Sequence, residues 1–395
     1  MSLPLKGVKV LDLSRILAGP YATMMLGDMG AEVIKIEKPK TGDDTRSWGP
    51  PNFGTESAYF LSINRNKKSV VIDLKSSEGV QLVKRLMKKS DVVIENFAPG
   101  VAKKLGLDRD ILTKDNSLVW CSITGYGQDG PLAKRLGYAT MIEAHSGLMH
   151  STGLPETPVK VGVAVTDIIT GLHACSGILA ALLNRSKTGN MIDCSLLASQ
   201  VSAMANIGSN WLVAGQEATR LGTDHASIVP YGTVKTRDGR IAIAAGNDGQ
   251  FVSLMKSIGR EDLLCDKRYL KNSDRVENRL SLMIELEKVF VTETSSEWIR
   301  LFDSDQRKYS FAFSKINTME DVFSDPQVQH LNMVVDCNHS LGKVQLAGIP
   351  IKFSNSGLGK LEPPPLLGEH TMDVLKSELK LTDIELENLK KNGVI

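Results

Sequence analysis

Val8-Lys9-Val10-Leu11-Asp12-Leu13 is the first of several short apolar runs in this 395-residue chain. Runs of the same texture recur at Glu32 to Ile36, Ser69 to Leu74, Asp91 to Glu95 and Leu118 to Thr124, whereas Ser77 to Lys88 carries helical spacing. Strand, helix and strand in repetition predict an α/β fold. The large domain is expected to hold a doubly wound, mostly parallel, Rossmann-like sheet covered by helices. Such sheets bind ligands beyond the carboxyl ends of their strands, so the loops that follow these runs are the first place to look for a site.

Two longer segments, Asp167 to Leu183 and Ser195 to Ala214, are apolar most of the way round and are expected to be buried. The texture changes near Gly222. Tyr231 to Thr236, a turn at Asp238-Gly239 and Arg240 to Ala245 read as a β-hairpin opening a smaller α+β domain. Helices are expected at Gly249 to Ile258, Arg279 to Phe290 and Ser296 to Phe302, then strands at Gly342 to Leu346 and Pro350 to Phe353 and two polar helices at the end. The expected boundaries are 1–221 for the first part of the large domain, 222–325 for the small one, and 326–395 for a return to the large domain.

With 47 basic and 45 acidic side chains the net charge is +2, and no like-charged block forms a tail. Nucleic acid is therefore not an expected partner. No apolar stretch is read as long enough for a membrane span, and a soluble protein is expected. The N-terminal residues show neither a secretory nor an organellar leader pattern, which leaves room for a leader already removed. Five scattered cysteines without a CxxC pair, and seven histidines without metal-ligand spacing, point to a reducing compartment and to no metal.

Gly125-Tyr126-Gly127-Gln128-Asp129-Gly130 matches a dinucleotide fingerprint, but Pro131 follows and no helix pattern begins there, so a tight glycine loop is the better reading. No GxSxG elbow is present. The neighbouring acids Asp43-Asp44 stand in a polar loop and read as solvated surface. Asp167, between the apolar run Val161 to Val165 and a long apolar helix, has two readings. It suits a helix N-cap. It also suits a nucleophile, since an unperturbed carboxylate with a pKa of about 3.9 is ionised at neutral pH without a general base.

An ordered set of segments resembles the family III (CaiB/BaiF-type) coenzyme A transferases. It comprises Gly7 to Arg15, Ala18-Gly19-Pro20, Gly30 to Glu37, Gly42-Asp43-Asp44-Thr45-Arg46, Asn64 to Ser69, Glu95-Asn96-Phe97, Gly125-Tyr126-Gly127, Ser146 to Met149 and Pro364 to Thr371. Within that family Thr55-Glu56-Ser57, Cys121 to Gly127, Asp193 to Leu197 and Ser227 to Tyr231 are most similar to succinyl-CoA:glutarate transferases. The resemblance implies Asp167 as the nucleophile, with CoA along Leu17, Ala18, Lys38, Ile72, Asp73, Leu74, Lys75, Asn96, Phe97 and Lys104. Lys38, Lys75 and Lys104 would face nucleotide phosphates, although each taken alone also reads as a solvated lysine.

Tyr138 and the segment Gly222-Thr223-Asp224-His225 match substrate-side positions, the latter a flexible loop in the family; by composition it reads as a linker. The resemblance further implies acyl-CoA and short carboxylic acids as partners, no permanently bound cofactor, an interlocked-ring homodimer, and a mitochondrial matrix setting if the source is eukaryotic. An acyl-CoA racemase of the same family places His where this chain has Tyr138; a tyrosine is a poor base at neutral pH, which favours the transferase. Ala139 replaces a usual acid, and Tyr309 to Ile316 lacks the usual Gly-Val-Pro loop. Both departures keep open a catalytically impaired CoA-binding member.

Overall fold

The computed structural model describes residues 3–107, 118–184, 190–304, 310–354 and 361–395. The apolar runs form strands β1 (Lys9–Asp12), β2 (Glu32–Glu37), β3 (Lys67–Val71), β4 (Val92–Glu95) and β5 (Val119–Thr124), joined by β6 (Asn190–Ser195). They lie in the order β3-β2-β1-β4-β5-β6. Every pairing in this sheet is parallel, which sharpens the expected mostly parallel arrangement. The strand order reverses between β1 and β4, and the crevice there is the ligand position of a doubly wound sheet.

Alternation along the strands sorts side chains to opposite faces. Leu11, Ile34, Val93 and Trp120 point into one core, shared with Leu82, Val83 and Leu86 of helix α1 (Ser77–Met87) and with Val374, Leu375 and Leu386 near the C-terminus. Val10, Val33, Val92 and Cys121 point into the other core, where Ala22 and Leu26 meet Ala174 and Ile178. Ala22 and Leu26 belong to the helix Ala18–Asp28, and Ala174 and Ile178 to the helix Val165–Leu183. Helices thus cover both faces, as strand runs alternating with a helical pattern require.

Val165–Leu183 corrects one expectation: it has 19 residues and is apolar enough to cross a membrane by length and composition. Here it packs on the helix Ala18–Asp28 and on β5 and β6. The segment expected as one buried helix from Ser195 is two, Leu196–Ala203 and Ala205–Ala214. The second has no buried residue, and Leu212 and Val213 are 84% and 86% exposed. Its apolar surface is therefore not covered by the described residues of its own chain.

Packing divides the chain into two compact units, residues 1–149, 160–218 and 326–395 in one and 150–159 with 219–325 in the other. In the second unit Tyr231–Lys235 and Arg240–Ala244 form the expected hairpin. Ala312–Lys315 adds a third antiparallel strand, so the stretch lacking the Gly-Val-Pro loop is an edge strand; Tyr309 lies outside the described residues. The helices Asp248–Ser257, Arg279–Phe290 and Ser295–Asp303 bury Phe251, Leu282, Phe290 and Phe302 against this sheet.

Pro350 to Phe353 forms no strand. Instead Val334–His339 pairs with Gly342–Ala347 in a hairpin whose first half was missed. Asp336, Asn338 and His339 break the apolar alternation that a strand reading relies on.

Candidate active site

Two loops meet at the point where the strand order reverses. After β1, the Leu13 N–H continues the sheet by donating to the Ile94 carbonyl, 2.8 Å away. After β4, Asn96 clasps the facing loop: its Oδ1 accepts the Arg15 N–H at 2.9 Å and its Nδ2 donates to the Arg15 carbonyl at 2.7 Å. Ile16 then turns through φ 72°, a left-handed conformation that a β-branched residue seldom adopts. A cavity of about 400 Å³ opens beside these loops.

Leu17, Ala18, Asn96, Phe97, Tyr138 and Asp167 all line it, so six of the residues singled out by sequence come together. Asp167 is the third residue of the helix Val165–Leu183, whose N-cap is Ala164 with no side-chain cap bond. The N-cap reading of Asp167 is therefore excluded. One turn further on, Gly171 faces the first turn of the helix Ala18–Asp28: a Cβ at position 171 would stand 2.7 Å from the Ala18 carbonyl oxygen. Residues four apart share a helix face, so this close approach sets Asp167 at the head of the facing helix.

Asp167 is half-buried, and its carboxyl is pushed up to about 6, first by burial and then by the charge of Glu143, against the opposing effect of its own backbone N–H. The ordinary value assumed from sequence is thus corrected. The group is still mostly ionised at neutral pH, but as a stronger base than a solvated aspartate. Burial, followed by the charges of Asp167 and Asp43, raises Tyr59, which also lines the cavity. Glu143 is fully buried; its Oε2 accepts the Val161 N–H at 3.3 Å, and its Oε1 has no hydrogen-bond partner among the described residues.

Activity that needs ionised Asp167 falls as pH drops through about 6. Glu143→Gln removes the like charge, and the acid limb of the kcat/KM profile is expected to move to lower pH. A limb that stays in place would show that burial alone sets it.

Arg15, Lys134, Arg135 and Lys160 also line the cavity, with Asp167 as the sole carboxylate among its described lining residues. Four cations around one acid suit an anionic ligand. None of the four was singled out from sequence, because scattered lysines and arginines carry no spacing signal.

The remaining candidates lie elsewhere. Ile72 is 1% exposed and belongs to the core, so its side chain cannot contact a ligand, whereas Lys75 and Lys104 are exposed after β3 and β4. Asp73 accepts the Lys75 N–H at 2.9 Å, and Leu74 packs on the core. Lys38 lies 2.8 Å from Asp44, which also pairs with Arg15. In the second unit, Gly222 donates to the Gly153 carbonyl at 2.9 Å, Thr223 Oγ1 meets Thr233 Oγ1 at 2.9 Å, and the His225 ring stacks on Tyr231.

Asp43, which reads from sequence as solvated surface, is instead 1% exposed and ion-paired with buried Lys35 at 2.8 Å.

A family model described as CoA-transferase family III matches residues 5–371. The chain is 46% identical, over 99% of its length and 90% of theirs, to proteins of Mus musculus and Homo sapiens named succinyl-CoA:glutarate CoA-transferase. It is 43% identical to a succinate--glutarate CoA-transferase of Agrobacterium fabrum, covering 94% of this chain and 95% of that one. Among solved structures, a CaiB/BaiF family protein from Brucella suis superposes with a TM-score of 0.85 at 40% identity, covering 96% of this chain and 100% of that one.

Proposed function

The chain belongs to CoA-transferase family III, and from that premise we propose that it moves CoA from succinyl-CoA to glutarate or a similar short dicarboxylate, with Asp167 as the nucleophile. The observation that carries this reading is the position of Asp167: a carboxylate of raised basicity in a cation-lined cavity at the carboxyl ends of β1, β4 and β5.

An Asp167 oxygen attacks the thioester carbon of the donor, and collapse of the tetrahedral intermediate expels CoA thiolate and leaves a mixed anhydride. The thiolate attacks the Asp167 carbonyl carbon, the donor carboxylate departs, and an Asp167–CoA thioester remains. The acceptor carboxylate attacks that thioester, forming a second anhydride and freeing the thiolate once more. Attack of the thiolate on the acceptor's acyl carbon then gives the new acyl-CoA and restores the Asp167 carboxylate. No net proton, metal or redox step is needed.

Asp167 near the start of a helix gains backbone N–H groups around the developing oxyanions. CoA lies along Leu17, Ala18, Asn96 and Phe97, with Lys38, Lys75 and Lys104 toward its phosphates, and the cavity cations receive the second carboxylate of a dicarboxylic acid. A panel of acids tested with succinyl-CoA reads this directly. Short dicarboxylates should exceed the matching monocarboxylates in kcat/KM by tenfold or more, about the value of one charge-assisted contact. Equal rates would remove the dicarboxylate from the reading.

A homodimer is part of the proposal. The uncovered helix Ala205–Ala214, with Trp211, Leu212 and Val213 exposed, and Leu183 at 91% exposure offer the apolar surface that a second copy would bury. Sedimentation at micromolar concentration is expected to give twice the chain mass, and a single-chain mass would contradict it.

A further inference from the structure

Besides the Asn96 clasp, a buried ion pair holds the wall of the cavity that carries Leu17 and Ala18. Lys35 in β2 and Asp43 stand 2.8 Å apart with both side chains at 0% exposure. Lys35 Nζ also donates to the Ser14 carbonyl at 2.8 Å. Asp43 Oδ1 accepts the Ile16 N–H at 3.1 Å, and Thr45 closes the group by donating its N–H at 3.0 Å and its hydroxyl at 2.8 Å. Together the pair grips the chain on both sides of Arg15, by the carbonyl of residue 14 and the amide of residue 16.

Ile16 needs such a grip. Its φ of 72° lies where a β-branched side chain is disfavoured, and strain of that kind persists only when the surroundings hold it in place. The two residues after it line the cavity, and the Ala18 carbonyl abuts the Asp167 helix opposite Gly171. A buried ion pair is also a poor device for stability alone, because two apolar side chains of similar volume commonly serve as well or better.

We propose that Asp43 is a positioning residue for acyl transfer: paired with Lys35, it holds Ile16 in its left-handed turn and so fixes Leu17 and Ala18 beside the Asp167 carboxylate. This rests on the reading of Asp167 as the nucleophile. Lys35 and the hydrogen bonds from Thr45 hold the Asp43 carboxyl at about 2 despite its burial, so the pair stays charged across the working pH range.

A cycle of variants tests the proposal. Glycine adopts the left-handed region freely, so Ile16→Gly lets the turn form without being held. Asp43→Asn in the wild-type background is expected to lower kcat about tenfold or more, as displaced reacting groups do, with KM for succinyl-CoA changed less than about threefold. In the Ile16→Gly background the same substitution is expected to cost less than about threefold. An equal loss of kcat in both backgrounds would overturn the proposal.

If Asp43→Asn alone fails to fold, the cycle is run with Lys35→Gln added, which leaves no unpaired buried charge. The Asp167 adduct with succinyl-CoA is read by mass in each protein. Its absence from the wild type sinks the nucleophile reading itself, whereas its presence together with an equal loss in both backgrounds overturns only the role of Asp43.

Discussion

Asp167→Ala is expected to lower turnover by a factor on the order of 10⁴ or more while leaving the fold intact, since no second carboxylate among the described residues lines the cavity to take over the covalent step. Circular dichroism and sedimentation unchanged from the wild type, together with that loss, are the expected pattern. Stability adds a second sign. The Asp167 carboxyl is raised from 3.8 to about 6 in the folded chain, so the folded state holds its proton more tightly than the unfolded state does. Stability from this group is present at low pH and is lost as pH rises from about 4 through 6. Asp167→Asn should therefore melt at a higher temperature than the wild type at pH 7.5, and the difference should shrink toward pH 4. A functional group held at a cost to the fold behaves in this way.

Arg46→Ala is expected to produce the largest loss of stability, about 3–5 kcal/mol, the usual result of leaving buried carboxylates without their cation. Arg46 binds Glu37 bidentately at 2.8 and 2.7 Å, reaches Glu56 at 2.8 Å and donates to the Pro365 carbonyl at 3.2 Å. Its guanidinium also lies 3.7 Å from the centre of the Phe60 ring. One side chain thus ties β2, the strand-like pair at Glu56-Ser57 and the C-terminal segment together. Arg46→Lys keeps the charge but not the planar fork, and it should recover only part of the loss. Urea unfolding of the three proteins reads both predictions; an Arg46→Ala midpoint equal to that of the wild type would remove the role assigned to this network.

Apolar strand runs are legible because burial on both faces of a parallel sheet forces Val and Ile into continuous stretches, as in Val92–Glu95 and Val119–Thr124. Asp167 was legible as an acid at the start of an apolar helix, but its raised basicity depends first on burial that no local pattern records and then on Glu143, 24 positions earlier in the chain. Asp43 was misread for a related reason. A polar loop such as Gly42 to Arg46 looks solvated until its partners, Lys35 on a strand and Glu37 two residues later, are brought beneath it. The helix Ala205–Ala214 departs in the opposite sense: its apolar composition reads as burial, yet none of its residues is buried among the described residues. Lys38 and Arg15 illustrate a third limit, since spacing cannot show that both share Asp44.

Mass spectrometry of the peptide bearing Asp167, after incubation with succinyl-CoA and trapping with hydroxylamine or borohydride, tests the covalent role most directly. The expected result is a modification on Asp167 that appears only with the acyl-CoA and disappears when the acceptor acid is added before the trap. Turnover that continues while Asp167 remains unmodified would contradict it.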